Sequence, residues 1–358
     1  MIRIFIVGFS DNKGGVETYI SNLNDSLDHT KFEVIYCLPE MTIDGKVWSA
    51  PKNRHNYFAY KRFWHKFFKC NKFDVIYYNT CDIVSVDMLK FAKAANIPIR
   101  IIHSHSTSLQ QKLRLIHKFT EKYNRKHIKN YATHLFACSK EAGEWMFGDK
   151  HFTVLKNGID ISKYRYSKPK RENCRGYLNA KKQKIIGCVG RLNPEKNPLF
   201  ALKIMKAVKA LDNNTAFVFI GDGILKDELC AEVKNQGLEN CVYLLGNRND
   251  VNEWYSAFDC LLMPSLFEGF PFVLVEAQAA GLPCVVSSAV SEDTNLTGLV
   301  EFVGLDDSVE TWASTILNAC EKGRKDTTKE LIDAGYSIEN TANYVSDIIE
   351  NSLKKNGR

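Results

Sequence analysis

No apolar run in this chain approaches the roughly eighteen residues that cross a bilayer, which excludes a membrane span as a reading of the sequence. Eleven cysteines are scattered with no C-x-x-C pair, and several (Cys138, Cys188, Cys260, Cys284) sit in apolar runs. That usage fits buried thiols in a reducing compartment, and it excludes a disulfide frame or a zinc ribbon. No Asp-x-Asp triplet occurs, and neither internal repeats nor low-complexity segments are present. The amino terminus, MIRIFIVGFSDN, runs into a strand pattern, and its apolar stretch is too short for a signal peptide. These absences lead us to expect a cytoplasmic protein, at most peripheral on the inner face of the cell membrane.

What is present begins with size and charge. At 358 residues the chain exceeds one ordinary core, so two domains are expected. With 45% hydrophobic and 25% charged residues it has the composition of a soluble globular protein. The net charge of +7 is uneven: Met1–Arg175 holds 30 basic against 16 acidic residues, and the remainder holds 18 against 25. A basic first half points to an anionic partner such as phospholipid headgroups or a diphosphate carrier. Nucleic acid is excluded as the partner, because no recognition motif accompanies the charge.

Strand-like and helix-like runs alternate throughout, the pattern of parallel sheets with helices on both faces. Strands are expected at Ile2–Val7, Glu33–Leu38, Asp74–Tyr78, Ile99–His103, His134–Ala137 and Thr153–Leu155. Helices are expected near Glu17–Leu27, Asp82–Ala95 and Lys112–Asn130. The pattern restarts at Lys184–Gly190 and continues with Ala216–Ile220, Val242–Leu245, Cys260–Met263, Pro283–Val286 and Val300–Val303. Tyr164–Gln183, basic and polar with little apolar periodicity, reads as an interdomain linker. The expected division is therefore 1–163 and 164–335, with a last helix over 336–358 returning to the first domain.

The most informative stretch is Met263–Ser288, MPSLFEGFPFVLVEAQAAGLPCVVSS, which sets Glu268 and Glu276 eight positions apart around Gly269, Phe270 and Pro271. Cys260–Met263 reads as a buried parallel strand and Pro271 as the first turn of a helix. Gly281-Leu282-Pro283 ends that helix before strand Cys284–Ser287. Glu268 thus lies at a strand's carboxyl end, where open α/β sheets bind ligands. Glu276 lies about a turn and a half into the helix. Two such carboxylates around free backbone N–H groups can hold a molecule bearing both hydroxyls and phosphates.

Other strand ends carry chemistry too. Val7–Glu17 passes through Gly14-Gly15 into a helix, exposing N–H groups that a phosphate can approach, although glycine also serves βα turns for steric reasons. Strand Ile99–Ile102 ends in His103-Ser104-His105-Ser106, two histidines without the third partner that a metal site needs. Gly190-Arg191-Leu192-Asn193-Pro194-Glu195-Lys196-Asn197 places a guanidinium fork and an ammonium in one loop. Gly221-Asp222-Gly223 reads as a tight scaffold turn, and Gly246-Asn247-Arg248 follows a further strand.

Taken together, G-G-V-E at Gly14–Glu17, N-G-I-D at Asn157–Asp160, G-R-L-N-P-E-K-N at Gly190–Asn197 and the Glu268/Glu276 spacing resemble glycosyltransferase family 4. These are the retaining GT-B enzymes, and the chain resembles the bacterial members that build exopolysaccharide, capsule or lipopolysaccharide. The resemblance covers nearly the whole chain and is weakest from Glu40 to Lys72. It implies two doubly wound Rossmann-like α/β domains facing a cleft, with the last helix crossing back. It also implies a hexosyltransferase-type enzyme moving sugar from a nucleotide-sugar, expected to be a UDP-sugar, to a saccharide carried on a polyprenyl diphosphate.

By the same resemblance, Arg191 and Lys196 stabilise the leaving diphosphate, Glu268 positions the donor sugar and Glu276 holds the ribose. Backbone N–H groups of Gly269, Phe270, Pro271, Phe272 and Val273 face the phosphates, and Gly14 and Gly15 approach the diphosphate or sugar. Gly190, Gly246, Asn247 and Arg248 border the nucleotide, and His105 assists from the first domain, with His103 as the alternative. No cofactor and no metal are expected, since fixed cations can take up the charge that a chelated ion would otherwise neutralise. A same-face route, in which the leaving phosphate takes the acceptor's proton, is preferred to a covalent glycosyl intermediate. Two rivals remain: a GT-B epimerase that needs no acceptor, and an inactive donor-binding subunit. Finally, Phe58–Lys69 spaces aromatics and lysines at helical intervals. It reads either as a core helix with a basic outer face or, with the basic stretch Lys112–Lys129, as a surface for anionic membranes.

Overall fold

A computed structural model describes residues 1–10, 14–51, 56–107, 115–268, 271–355 and 357. The chain divides into two compact units, Met1–Gly158 with Gly335–Arg358, and Ile159–Ala334.

The first unit alternates β1 (Ile2–Val7), α1 (Gly15–Ser26), β2 (Phe32–Tyr36), a hairpin of β3 (Glu40–Ile43) and β4 (Lys46–Ser49), and α2 (Tyr57–Cys70). It continues with β5 (Val75–Thr80), α3 (Asp87–Ala94), β6 (Ile99–Ser104), α4 (Leu115–His127), β7 (His134–Ala137), α5 (Lys140–Phe147) and β8 (Thr153–Val154). Six strands form one sheet in the order β2-β1-β5-β6-β7-β8, and each printed pairing is parallel. The order reverses between β1 and β5, so loops at their carboxyl ends border a crevice of the kind that binds ligands in such sheets. The C-terminal helix, Ile338–Lys355, packs on α1 and belongs to this unit, burying Ile338, Val345 and Ile349.

The second unit contains α6 (Ile161–Tyr164), α7 (Lys168–Tyr177), β9 (Lys184–Val189), α8 (Pro198–Leu211), β10 (Thr215–Ile220), α9 (Lys226–Asn235) and β11 (Val242–Leu244). Then follow α10 (Val251–Ala257), β12 (Cys260–Met263), α11 (Phe272–Ala279), β13 (Cys284–Ser287), β14 (Val300–Val303), α12 (Val309–Lys322) and α13 (Thr328–Asp333). The sheet order is β11-β10-β9-β12-β13-β14, the doubly wound arrangement whose switch point lies between β9 and β12. Strand alternation builds two apolar layers. Ile186, Phe217 and Phe219 face a layer containing Leu202, Met205 and Trp312, while Ile185 and Val218 face one containing Trp254, Tyr255 and Leu274.

Three features depart from the sequence reading. The hairpin over Glu40–Ser49 went unread, although Asp44 and Gly45 (φ 50° and 76°) form the left-handed pair that a two-residue hairpin turn requires. The stretch expected to be a linker contains α7. Arg171 and Arg175 from that helix clasp Asp259, and Arg171 also donates to the carbonyls of Ser256, Ala257 and Phe258 at 3.1–3.2 Å. The division falls at 158/159 rather than 163/164, because α6, capped by Asp160, packs on α10 and α11.

The Asp259 clasp joins α7 to the start of β12 and also accepts the Ile185 N–H at 2.8 Å. Its side chain is 18% exposed and that of Arg175 only 7%, so removing the acid strands buried positive charge. Asp259→Ala should cost about 3 kcal/mol in urea unfolding. A loss under about 0.5 kcal/mol, the range of ordinary surface substitutions, would show that the clasp does not hold α7.

Candidate active site

In the second unit, the loops after β9 and β12 flank the switch point and are tied together. The Leu266 N–H donates to the Glu195 carbonyl at 2.8 Å, and the Asn197 side-chain amide donates to Pro264 O at 3.3 Å. Asn193 caps the short 3-10 turn Pro194–Lys196, accepting from the Lys196 N–H. Asn197 then turns the chain into α8 with φ 53°, a left-handed conformation that asparagine tolerates. The neighbouring turn after β10 interlocks with the same loop. A Cβ on Gly221 (φ 142°) would sit 1.9 Å from the Gly190 carbonyl oxygen, so only glycine fits there.

These loops bring Lys196 Nζ to 2.5 Å from Glu268 Oε1, with side chains only 26% and 10% exposed. Ser265 Oγ donates to the same oxygen at 2.7 Å, and Ser287 Oγ fixes the Ser265 carbonyl. Cation and acid therefore form one unit, while Arg191, five residues before Lys196, is exposed.

Glu276, the fifth residue of α11, accepts from Tyr164 Oη at 3.0 Å and from Tyr255 Oη at 2.6 Å, one phenol on each carboxylate oxygen. Burial holds its carboxyl above the ordinary carboxylate value, and the two phenols pull it back down. A carboxylate offers about four lone-pair sites, so both oxygens retain acceptor capacity for a vicinal diol. Neither tyrosine was singled out from the sequence: Tyr164 lay in the supposed linker, and Tyr255 sits on α10 with no motif to mark it.

Among the expected phosphate-facing N–H groups, Pro271 is corrected, for proline has no N–H to donate. Pro271 caps α11, and Phe272 and Val273 are its first two residues, whose N–H groups have no intrahelical acceptor. Gly269 and Phe270 lie outside the described residues. Gly246 has φ 65° and follows β11. The Arg248 guanidinium is clamped by Asp250 at 2.7 Å and lies over the Tyr177 and Trp254 rings, so its side chain is engaged within the fold.

In the first unit, Gly14 caps α1 in extended geometry. Glu17 folds back over it, its Oε2 2.5 Å from where a Cβ would stand, and accepts from Ser10 Oγ at 2.6 Å. Glu17 thus places a carboxyl group beside Gly14.

The two histidines separate clearly. His103 is fully buried, its Nδ1 3.1 Å from Tyr77 Oη, which in turn contacts Tyr19 Oη at 2.9 Å. His105 stands just past the end of β6 and keeps part of its surface exposed, packed on Tyr19. The Asn79 amide donates through Nδ2 to Val7 O, so its Oδ1, 3.0 Å from His105 Nε2, takes the imidazole proton. The proton is thereby held on Nε2. Asn79 is a further residue the sequence reading passed over, although its place at a strand's carboxyl end marked it.

Residues 169–336 match the family described as Glycosyl transferases group 1, and residues 13–163 match Glycosyltransferase Family 4. Over 377 aligned residues the chain is 30% identical to the putative glycosyltransferase EpsF of Bacillus subtilis, covering 99% of this chain and 97% of that one. The chain belongs to glycosyltransferase family 4. It is also 28% identical over 239 residues to an Escherichia coli UDP-Gal:alpha-D-GlcNAc-diphosphoundecaprenol alpha-1,3-galactosyltransferase, covering 63% and 60% of the two chains. Among solved folds, Anabaena HepE in complex with UDP and glucose superposes with a TM-score of 0.68 at 18% identity, covering 98% of this chain and all of that one. A glycosyltransferase from Rickettsia africae gives 0.74 at 16%, covering 99% of each. The fold of this glycosyltransferase is thus GT-B, and its activity is glycosyl transfer in polysaccharide biosynthesis.

Burial holds His103 well below the usual histidine value and His105 down at about 3. Both folded-state values are depressed, so the folded protein refuses protons that the unfolded chain binds below about pH 6.5. Stability from these neutral imidazoles is complete above that pH and is lost as pH falls towards the folded values. Each contributes up to about 1.4 kcal/mol per pH unit. Urea unfolding between about pH 6.5 and 5 should therefore be steeper for the native chain than for His105→Gln. Equal slopes would show His105 to be solvated and free to protonate.

Proposed function

We propose that this glycosyltransferase moves a hexose from a UDP-sugar to a lipid-linked saccharide, with retention at the anomeric carbon and without a metal ion. The observation that carries the reading is the Lys196–Glu268 pair at the switch point, with the exposed Arg191 on the same loop as Lys196. Departure of the sugar leaves charge on a diphosphate, and preorganised cations lower that barrier without reorganising at the moment of reaction. In this reading Arg191 offers a bidentate fork to the phosphates, and Lys196 shifts from Glu268 towards them. Glu268, once released, accepts from hydroxyls of the donor sugar.

Glu276 supports the nucleotide end. Its two tyrosine partners fix the carboxylate plane, which suits a bidentate grip on ribose hydroxyls. The UDP assignment draws on the Escherichia coli relative whose name specifies UDP-Gal and on HepE, solved with UDP and glucose. The lipid-linked acceptor draws on relatives whose names specify undecaprenyl-diphosphate saccharides, including one of Campylobacter jejuni that is 36% identical over 123 residues. A leaving diphosphate that takes the acceptor's proton on the departing face accounts for retention without a second carboxylate as nucleophile.

Arg191→Ala and Lys196→Ala should each lower kcat by about 10²- to 10³-fold, as removal of one preorganised donor to a developing anion does. Transfer should continue in EDTA, and the product anomer, read by NMR, should match the donor's. Loss of activity in EDTA would remove the metal-free mechanism. Near-native rates in both variants would remove the cationic site.

A further inference from the structure

The second unit carries a cation-lined hollow at the edge of its sheet opposite the Lys196–Glu268 pair. Asp259 leads into β12 and Gly281 leads towards β13, so both mark the amino ends of strands. With Gly323, at the exit of α12, they border a cavity of about 570 Å³, a volume within the range of small-molecule sites. Four cations line it, Arg165, Arg171, Arg324 and Lys325, against two carboxylates, Asp259 and Asp326.

The acids are already committed. Asp259 is shared by Arg171 and Arg175, while Asp326 meets Arg165 at 3.0 Å and accepts from Thr328. Arg324 is left with carbonyls: those of Tyr255, Ser256 and Phe258 at the end of α10 and of Ala280 after α11, at 2.5–3.3 Å. Closing two helix ends offsets part of its charge, because such carbonyls are only partly negative. Among the described residues no carboxylate forms an ion pair with it. Burial holds its guanidinium down at about 10, and the charge of Arg171 pushes the same way. Buried charge is normally paired, so a cation excess on a cavity wall suits an anion.

A second feature converges on the same place. Gly323–Asp326 runs along the hollow, and its four successive backbone N–H groups find no acceptor among the described residues. Gly323 takes φ 68°, and a Cβ there would meet nothing within 4 Å. Consecutive N–H groups beside cations cradle tetrahedral oxyanions. Tyr166, 44% exposed and lying over Arg324 at 4.9 Å, adds an aromatic face for a carbon skeleton.

We propose that this hollow binds a phosphate group, free or borne on a small ester, with Arg165, Lys325 and the Gly323–Asp326 backbone as donors and Arg324 as a fixed charge. Arg165 gives up an exposed pair with Asp326, which costs little. The site lies at amino ends of strands, whereas Arg191, Lys196 and Glu268 follow carboxyl ends, so it needs neither donor nor acceptor of the proposed reaction.

The test is titration calorimetry of the 358-residue chain with orthophosphate and with glycerol 3-phosphate, at constant ionic strength set with chloride. At least one should bind, and Tm should rise with its concentration. Tighter binding of the ester identifies a carried phosphate, and tighter binding of orthophosphate the free ion. Arg165→Ala with Lys325→Ala should weaken binding about tenfold or more. Lys203→Ala with Lys206→Ala, on α8, should change it by less than about twofold. These four side chains are exposed, so circular dichroism should match the parent. Arg191→Ala should retain the binding, which separates this hollow from the transfer site. No binding beyond that of chloride would overturn the proposal, as would an equal loss in the α8 variant. So would binding that Arg191→Ala weakens and the Arg165/Lys325 variant leaves intact.

Discussion

Lys196 and Glu268 neutralise one another at the carboxyl edge of the second sheet, and the arrangement of the candidate site follows from that contact. Held largely out of water, either charge alone would be costly to keep there. Together, with Ser265 donating to the same carboxylate oxygen, they hold one another in place. The contact also ties the loop after β9 to the loop after β12, the two strands between which the sheet order reverses. In the proposed reading, a diphosphate draws Lys196 from a carboxylate and so frees that carboxylate for sugar hydroxyls.

Around this pair, other polar groups are fixed by hydrogen bonding within their own unit. Tyr164 and Tyr255 hold Glu276 in one plane although burial opposes its ionisation. Asn79 settles which nitrogen of His105 bears the proton, and burial keeps the ring uncharged. Arg248 is spent on Asp250 and two aromatic rings.

The sheets were legible because parallel strands buried on both faces are written as short apolar runs. Cys260–Met263, Ile2–Val7 and His134–Ala137 were located to the residue. The Asp44-Gly45 hairpin was missed in the stretch where the family resemblance is weakest, although its turn chemistry was in view. Helix α7 was missed because arginine hydrogen bonds to carbonyls and Asp259, rather than an apolar stripe, anchor it, and such partners lie about eighty residues away in sequence. In the site, motif spacing named both acids and both cations. It could not show that Lys196 rests on Glu268, nor that two tyrosines outside every motif hold Glu276. It also read the aromatics of α2, of which Trp64, Phe67 and Phe68 enter the core, and the exposed Ile116 and Phe119 of α4 alike, since helical periodicity is silent about which apolar face the core covers.

The central claim is that Lys196 is shared between Glu268 and the donor's diphosphate. Titration calorimetry of UDP against the native chain and Glu268→Gln tests it most directly. UDP lacks the transferable hexose, so it loses no contact with Glu268, and an amide at that position releases Lys196 and removes a nearby negative charge. The account predicts that UDP binds Glu268→Gln several-fold more tightly, about 1 kcal/mol, even as sugar transfer falls. Weaker or unchanged UDP binding in that variant would contradict it.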